Sequence, residues 1–165
     1  ERVILNKNYF LLTPKLIWRQ TAPHTIATLD LKGIWFGRCI QAGTIKSSKK
    51  VDFDYKYLLA LLNSKYLRHL YIQLVKEEGR VFPQVKLTKL RKLPIKNVPI
   101  FNQKPFIELV DKILTITNVS DYLSNPKKQA KVKDYEKQID QLVYKLYDLT
   151  PEEIKIIEDY HGKTS

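Results

Sequence analysis

Methionine is missing altogether from these 165 residues, and cysteine occurs once, at Cys39. A lone cysteine cannot close an internal disulfide, which fits a reducing cytoplasm. Without methionine there is no initiator, so the chain reads as a piece of a longer protein. Five glycines and eight prolines are too few for a low-complexity linker. No run of about 18 apolar residues occurs, so no membrane span and no membrane partner are expected. The opening "ERVILNKNYFLL" lacks the long apolar stretch and small-residue cleavage site of a secretory signal. No repeat of solenoid or propeller length is present.

Catalytic patterns are equally scarce. His24, His69 and His161 are scattered, and none stands at metal-ligand spacing with Cys39 or another histidine. There is no nucleophile elbow and no glycine-rich phosphate loop. Asp52 and Asp54 stand two apart before Lys56, and Glu153 stands two before Lys155. Carboxylates so placed could flank a nuclease metal, but a helix cap explains the first pair and a capping box the second. Cys39 follows Arg38 in an apolar run, where a cysteine is expected to be buried and inert. These residues are therefore expected to bind and not to react, with no catalytic, metal or cofactor site among them.

Acidic residues are in short supply over the first hundred positions. Residues 1–100 hold 19 Lys/Arg against 6 Asp/Glu, and residues 101–165 hold 10 against 11. The formal charge of +12 is thus regional and calls for a polyanion, of which phosphate backbones are the commonest. From Arg80 to Lys96 six Lys or Arg occur without one Asp or Glu, interleaved with Val81, Val85, Leu87, Leu90, Leu93 and Ile95.

The expected fold class is α+β: a small mixed or antiparallel sheet with a packed helix, then a helical, coiled-coil-like C-terminal part. Strands are expected at Pro14–Gln20, His24–Asp30 and Gly33–Gln41, with a hairpin turn at Lys32-Gly33. Trp18 and Trp35 are expected in the core. One helix is expected from Asp52 or Asp54 to Gly79, with Leu59, Leu62, Tyr66, Leu70 and Leu74 on its apolar face. Arg80–Ile95 is expected to be extended. Helices should follow at about 105–117, 128–147 and 151–159, the last opened by the capping box Thr150–Glu153. Tyr135, Ile139, Leu142 and Leu146 form a narrow seam, to be covered either by Phe106–Ile116 or by another domain. The charge shift divides the chain into a basic α/β domain, 1–100, and a helical region, 101–165.

The helix "LLALLNSKYLRHLY", with its Leu62-Asn63-Ser64-Lys65, and the basic stretch ending "LRKLPI" resemble the target recognition domain of bacterial restriction–modification proteins. "EKQIDQLVYKLYDLTPEEIKIIE" (Glu136–Glu158) resembles the C-terminal helix of type IIG restriction–modification enzymes and TaqI-like N6-adenine methyltransferases. "PKLIWRQ" is similar to the first strand of their specificity domain. The likeness covers most of the chain. In that family the methyltransferase domain, with an Asn-Pro-Pro-Tyr-type motif, and any nuclease domain lie upstream. Neither motif is here, since Asn125-Pro126 runs on into Lys127.

The resemblance implies sequence-specific recognition of double-stranded DNA, beside a methyltransferase domain of the same polypeptide. S-adenosylmethionine, and Mg2+ where cleavage occurs, would belong to that remainder. Under this reading Arg19, Gln20, Arg38, Gln41 and Gln84, beside strand ends, are candidates to read bases. Lys46, Ser47, Ser48, Lys49, Lys50, Arg80, Lys86, Lys89, Arg91 and Lys92 are candidates for phosphates. Two alternatives stand beside it: an RNA-binding module, and a helical protein-interaction fragment whose basicity is incidental.

Overall fold

A computed structural model describes residues 10–45, 52–75 and 83–162. Its elements run β1 (Lys15–Arg19), β2 (Ala27–Asp30), β3 (Ile40–Gly43), α1 (Tyr55–Asn63), α2 (Lys65–Val75), α3 (Leu87–Leu90), α4 (Ile100–Thr117), α5 (Pro126–Leu146) and α6 (Pro151–Gly162). This is the expected α+β class. β1 is the middle strand, antiparallel to both neighbours, with Lys15 opposite Asp30 and Arg19 opposite Ile40.

Leu16 and Trp18 alternate along β1 and bury one sheet face. They join one core with Tyr57, Leu61 and Leu67 of α1 and α2, Phe106 and Val110 of α4, and Ile139 and Val143 of α5. α5 packs along α4, so the seam of Tyr135, Ile139, Leu142 and Leu146 is covered within the chain by the helix holding Phe106–Ile116.

The turn after β2 differs from the expected hairpin. The Asp30 carboxylate accepts the backbone N–H groups of Lys32, Gly33 and Ile34 at 2.9, 3.0 and 2.9 Å. That wraps the chain into a tight turn with Gly33 at φ 73°, a conformation glycine adopts without strain. The turn consumes donors that a strand would need. Residues 33–39 are therefore irregular, and β3 starts only at Ile40. Trp35 is consequently 58% exposed, stacked on Phe10 at 4.8 Å, and Cys39 is exposed. Both expectations of burial fail for this one reason.

The same carboxylate pairs with Lys15 Nζ at 2.5 Å, both side chains being 0% exposed. Lys15 Nζ also donates to the carbonyls of Phe10 and Leu12, at 2.7 and 3.1 Å. One of the basic residues of the N-terminal half is thus sealed inside the fold.

The expected long helix is two helices. Asp54 caps α1, accepting from Lys56 N–H. The break falls at Asn63-Ser64. Asn63 hydrogen-bonds both the N–H and the carbonyl of Ala27, each at 2.9 Å, which fastens α1 to the outer edge of β2. Ser64 turns extended (ψ 149°), and Asp140 of α5 accepts the Lys65 N–H at 2.9 Å, capping α2 from another helix. Lys65 Nζ then reaches Glu158 of α6 at 2.5 Å. Gly79, expected to end this helix, lies outside the described residues.

Within the described part of Arg80–Ile95 the chain is not extended. Only Gln84 forms a strand-like bridge, to Thr21. The Lys86 carbonyl then gathers the N–H groups of Lys89 and Leu90 at 3.0 and 2.9 Å, making α3. Leu87, Leu90 and Leu93 lie three apart, one helical turn, and that spacing outweighs the alternation.

α4 starts five residues before Pro105. Buried Gln103 donates to the carbonyls of Val98 and Asp52 at 2.9 and 2.8 Å and accepts from Asp54 N–H at 2.9 Å, which holds the first turn in place. α5 opens with Asn125 as cap and Pro126 at its first position, the placement a helix start tolerates. Thr150 and Glu153 form the expected reciprocal cap of α6, at 2.8 and 3.3 Å. Among the described residues no helix is long and apolar enough to cross a membrane.

Three histidines sit in the α2–α6 region and its surroundings. Burial, aided by the Arg68 and His161 charges, pushes His24 down to about 4. Burial lowers His69 and, with help from Arg68, His161. A histidine depressed in the fold is protonated first in the unfolded chain, so its stabilising contribution is present above pH 6.5 and fades as pH falls toward 4. Asp140, raised by burial to about 6, works the opposite way below pH 6. The melting temperature should therefore drop between pH 7 and 5.5, and His24→Gln should flatten the drop. Thermal melts across that range check it; a flat wild-type profile would contradict the burial of these imidazoles.

Candidate nucleic-acid interface

β1 ends in the middle of the sheet, and the chain there is gripped from both sides. Arg19 stands opposite Ile40 and Trp18 opposite Gln41. Gln20 N–H donates to the Cys39 carbonyl at 2.8 Å, and the Gln20 carbonyl accepts from Val85 N–H at 2.7 Å. Thr21 bridges to Gln84. These pairings bring Arg19, Gln20, Gln41 and Gln84 to one end of the sheet, with Arg38 next to Cys39 in the same segment. Segments more than 40 residues apart in sequence thus supply a ridge of Arg and Gln along this sheet end, with Arg19 on the face opposite to Gln41 and Trp18.

The basic stretch leaves from that ridge. The Tyr71 hydroxyl accepts the Lys86 N–H at 2.7 Å and donates to the Gln84 carbonyl at 3.4 Å. α3, which holds Lys89 and is followed directly by Arg91 and Lys92, then packs on α2. Arg91 and Lys92 are exposed and Lys86 and Lys89 half-buried. Lys46, Ser47, Ser48, Lys49, Lys50 and Arg80 lie outside the described residues.

The cations divide into two groups. Lys15, Lys56, Lys65 and Lys96 are each tied to a carboxylate, respectively Asp30, Asp111, Glu158 and Asp148. Among the described residues Arg19, Arg38, Lys89, Arg91 and Lys92 form no ion pair. The paired group holds the fold together. Lys96, last in the acid-free run, falls on the structural side. Its Nζ also donates to the Leu146 carbonyl at 2.5 Å, and Tyr147 OH donates to the Pro94 carbonyl at 2.5 Å.

Trp18 adds something that sequence reasoning missed. Its indole N–H donates to Gln41 Oε1 at 2.8 Å. Indole nitrogen only donates, so it fixes which end of the amide is oxygen and leaves the Nε2 hydrogens and one oxygen lone pair to pair outward. Trp18→Phe keeps the ring and loses this hold. For a Gln41 that reads a base, the expected effect is relaxed preference at that position by roughly 1–2 kcal/mol of discrimination, with overall duplex affinity reduced less. Binding-site selection on both proteins checks it.

The motif residues at Asn63-Ser64-Lys65 and in Glu136–Glu158 are structural here. They clamp β2, α2, α5 and α6 to one another. Among the described residues no group of three or more His, Cys, Asp or Glu could hold a metal ion.

A family model described as the TaqI-like C-terminal specificity domain matches residues 2–95, which takes in the whole sheet, α1 to α3 and the ridge. No curated protein matches the chain. The chain belongs to the TaqI-like C-terminal specificity domain family, the DNA-recognition modules of restriction–modification enzymes.

Proposed function

We propose that the chain is the sequence-specific double-stranded DNA recognition module of a type IIG restriction–modification enzyme or an N6-adenine DNA methyltransferase, and performs no chemistry itself. The observation that carries this reading is the convergence of Arg19, Gln20, Arg38, Gln41 and Gln84 at one sheet end, continued by Lys89, Arg91 and Lys92, which form no ion pair among the described residues. Arginine and glutamine match the edges of guanine and adenine in the major groove. The lysines that follow fit phosphates, which set register without reading sequence. Lys46–Lys50, with Ser47 and Ser48, and Arg80 complete the proposed phosphate set.

The remaining parts of the reading concern the longer protein. A methyltransferase domain of the same polypeptide would supply S-adenosylmethionine, with Mg2+ where the enzyme also cleaves, in the cytoplasm. The helical region 101–165 acts as a buttress: through Asp140, Glu158 and Asp148 it neutralises lysines of the basic half that are not used for DNA.

Fluorescence anisotropy on a labelled duplex tests the proposal. Affinity should fall with salt at a log–log slope of several units, and single-stranded RNA should compete poorly. A chain that ignores duplex at about 50 mM salt, or prefers the RNA, contradicts it.

A further inference from the structure

A cavity of about 620 Å3 opens between the outer edge of β2 and helices α1, α2, α4 and α5. It shares no residue with the ridge. Its volume suits a small molecule, for which sites of roughly 300–1,000 Å3 are usual. Leu59, Val110, Ile113, Val132 and Ile139 make much of its lining apolar.

Arg68 of α2 stands in the wall. Its Nε is buried with no hydrogen-bond partner, and among the described residues its guanidinium forms no ion pair. Asp140 and Glu136 act on it only through space. Neither serves it as an acceptor: the Asp140 carboxylate takes the Lys65 N–H, and Lys65 itself is neutralised by Glu158. A buried donor without an acceptor costs the full desolvation of that group, and more when it is charged. Lys133 and Lys137 of α5 also line the cavity, so Arg68 and two lysines outnumber Glu136 and Asp140.

We propose that this cavity binds a small amphipathic anion, its carboxylate or phosphate head on Arg68 and its apolar body against the α4 and α5 side chains. The site is independent of DNA recognition, since no lining residue belongs to the ridge.

Calorimetry and thermal melts of the whole chain test it, with octanoate and phenyl phosphate as probes and inorganic phosphate as the control head. At a hundredfold excess over Kd, the preferred amphiphile should raise Tm by about 5–11 °C, and inorganic phosphate should bind at least tenfold more weakly. Which amphiphile wins identifies the head. Arg68→Met, which keeps the apolar stem, should weaken binding at least tenfold, and Ala60→Leu, which fills the cavity from α1, should do the same with every charge in place. The proposal is overturned if neither amphiphile binds the wild-type chain with Kd below about 10 mM. It is equally overturned if inorganic phosphate alone binds as tightly, or if Ala60→Leu binds unchanged.

Discussion

Replacing Asp30 by alanine should cost the fold about 3–5 kcal/mol, read as a fall in melting temperature of roughly 10–15 °C for a chain of this size. Three losses coincide at this side chain. Lys15 Nζ loses its 2.5 Å partner while it stays fully buried, and an uncompensated buried charge is among the most expensive defects a fold can carry. The N–H groups of Lys32, Gly33 and Ile34 lose their common acceptor. The turn that launches the crossover to β3 loosens with them. Asp30→Asn retains an oxygen for part of the turn and should fall between wild type and alanine. The double variant Lys15→Met/Asp30→Asn removes both charges, and should return to within about 1–2 kcal/mol of wild type, because a buried pair adds little beyond a well-packed apolar replacement. Chemical denaturation of wild type, Lys15→Met, Asp30→Asn and the double variant closes the double-mutant cycle. An Asp30→Ala protein as stable as wild type would mean that Lys15 reaches solvent in solution.

Neutralising Arg19, Arg38, Lys89, Arg91 and Lys92 together should weaken duplex binding at least a hundredfold at about 100 mM salt, and lower the salt slope by about 3–4. Stability should change by less than about 1 kcal/mol, since among the described residues these side chains have no carboxylate to lose. Dividing the set sharpens the result. Lys89, Arg91 and Lys92 to glutamine should weaken all sequences alike, with about one unit of slope lost for each phosphate contact. Arg19 and Arg38 to glutamine should cost about 1–3 kcal/mol of discrimination at the bases they read. Lys65 and Lys96 to glutamine serve as the control: they lower stability and leave the salt slope in place. If the controls and the ridge variants proved alike, the separation into structural and external cations would be wrong.

Much of the fold is legible in short-range chemistry. β1 announces itself through Leu16 and Trp18 at alternate positions, and Asp54, Asn125 and Thr150 announce helix starts because capping depends on residues within three positions. What the sequence conceals comes from partners distant along the chain. Nothing near Ser64 says that Asp140, 76 positions later, will cap α2 and let the long helix break. Asp30 offers no local sign that three N–H groups will fold around it and leave Trp35 and Cys39 outside. In the basic stretch the signal is two-sided: Val85 and Leu87 alternate, whereas Leu87, Leu90 and Leu93 keep a helical step, and the helical step prevails where, among the described residues, no strand pairs beyond Gln84.

The candidate site follows the same rule. Residue type alone picks out Arg19, Gln20, Arg38, Gln41 and Gln84, yet their meeting at one sheet end depends on the β1–β3 register and on the Thr21–Gln84 bridge. The charge count over residues 1–100 likewise predicts a surplus of cations, but not which are spent internally. Lys15 and Lys96 lie in basic segments and serve the fold. The indole of Trp18 was legible only as core, while its N–H reaches the ridge.

Chemical-shift mapping of the isotope-labelled chain against duplex DNA at low salt tests the ridge most directly. The backbone signals of residues 19–21, 38–41 and 84–92 should move together as duplex is added, and those on the outer faces of α5 and α6 should stay still. Shifts confined to α5 and α6, or spread evenly over every exposed lysine, would contradict a DNA-reading surface at the end of β1.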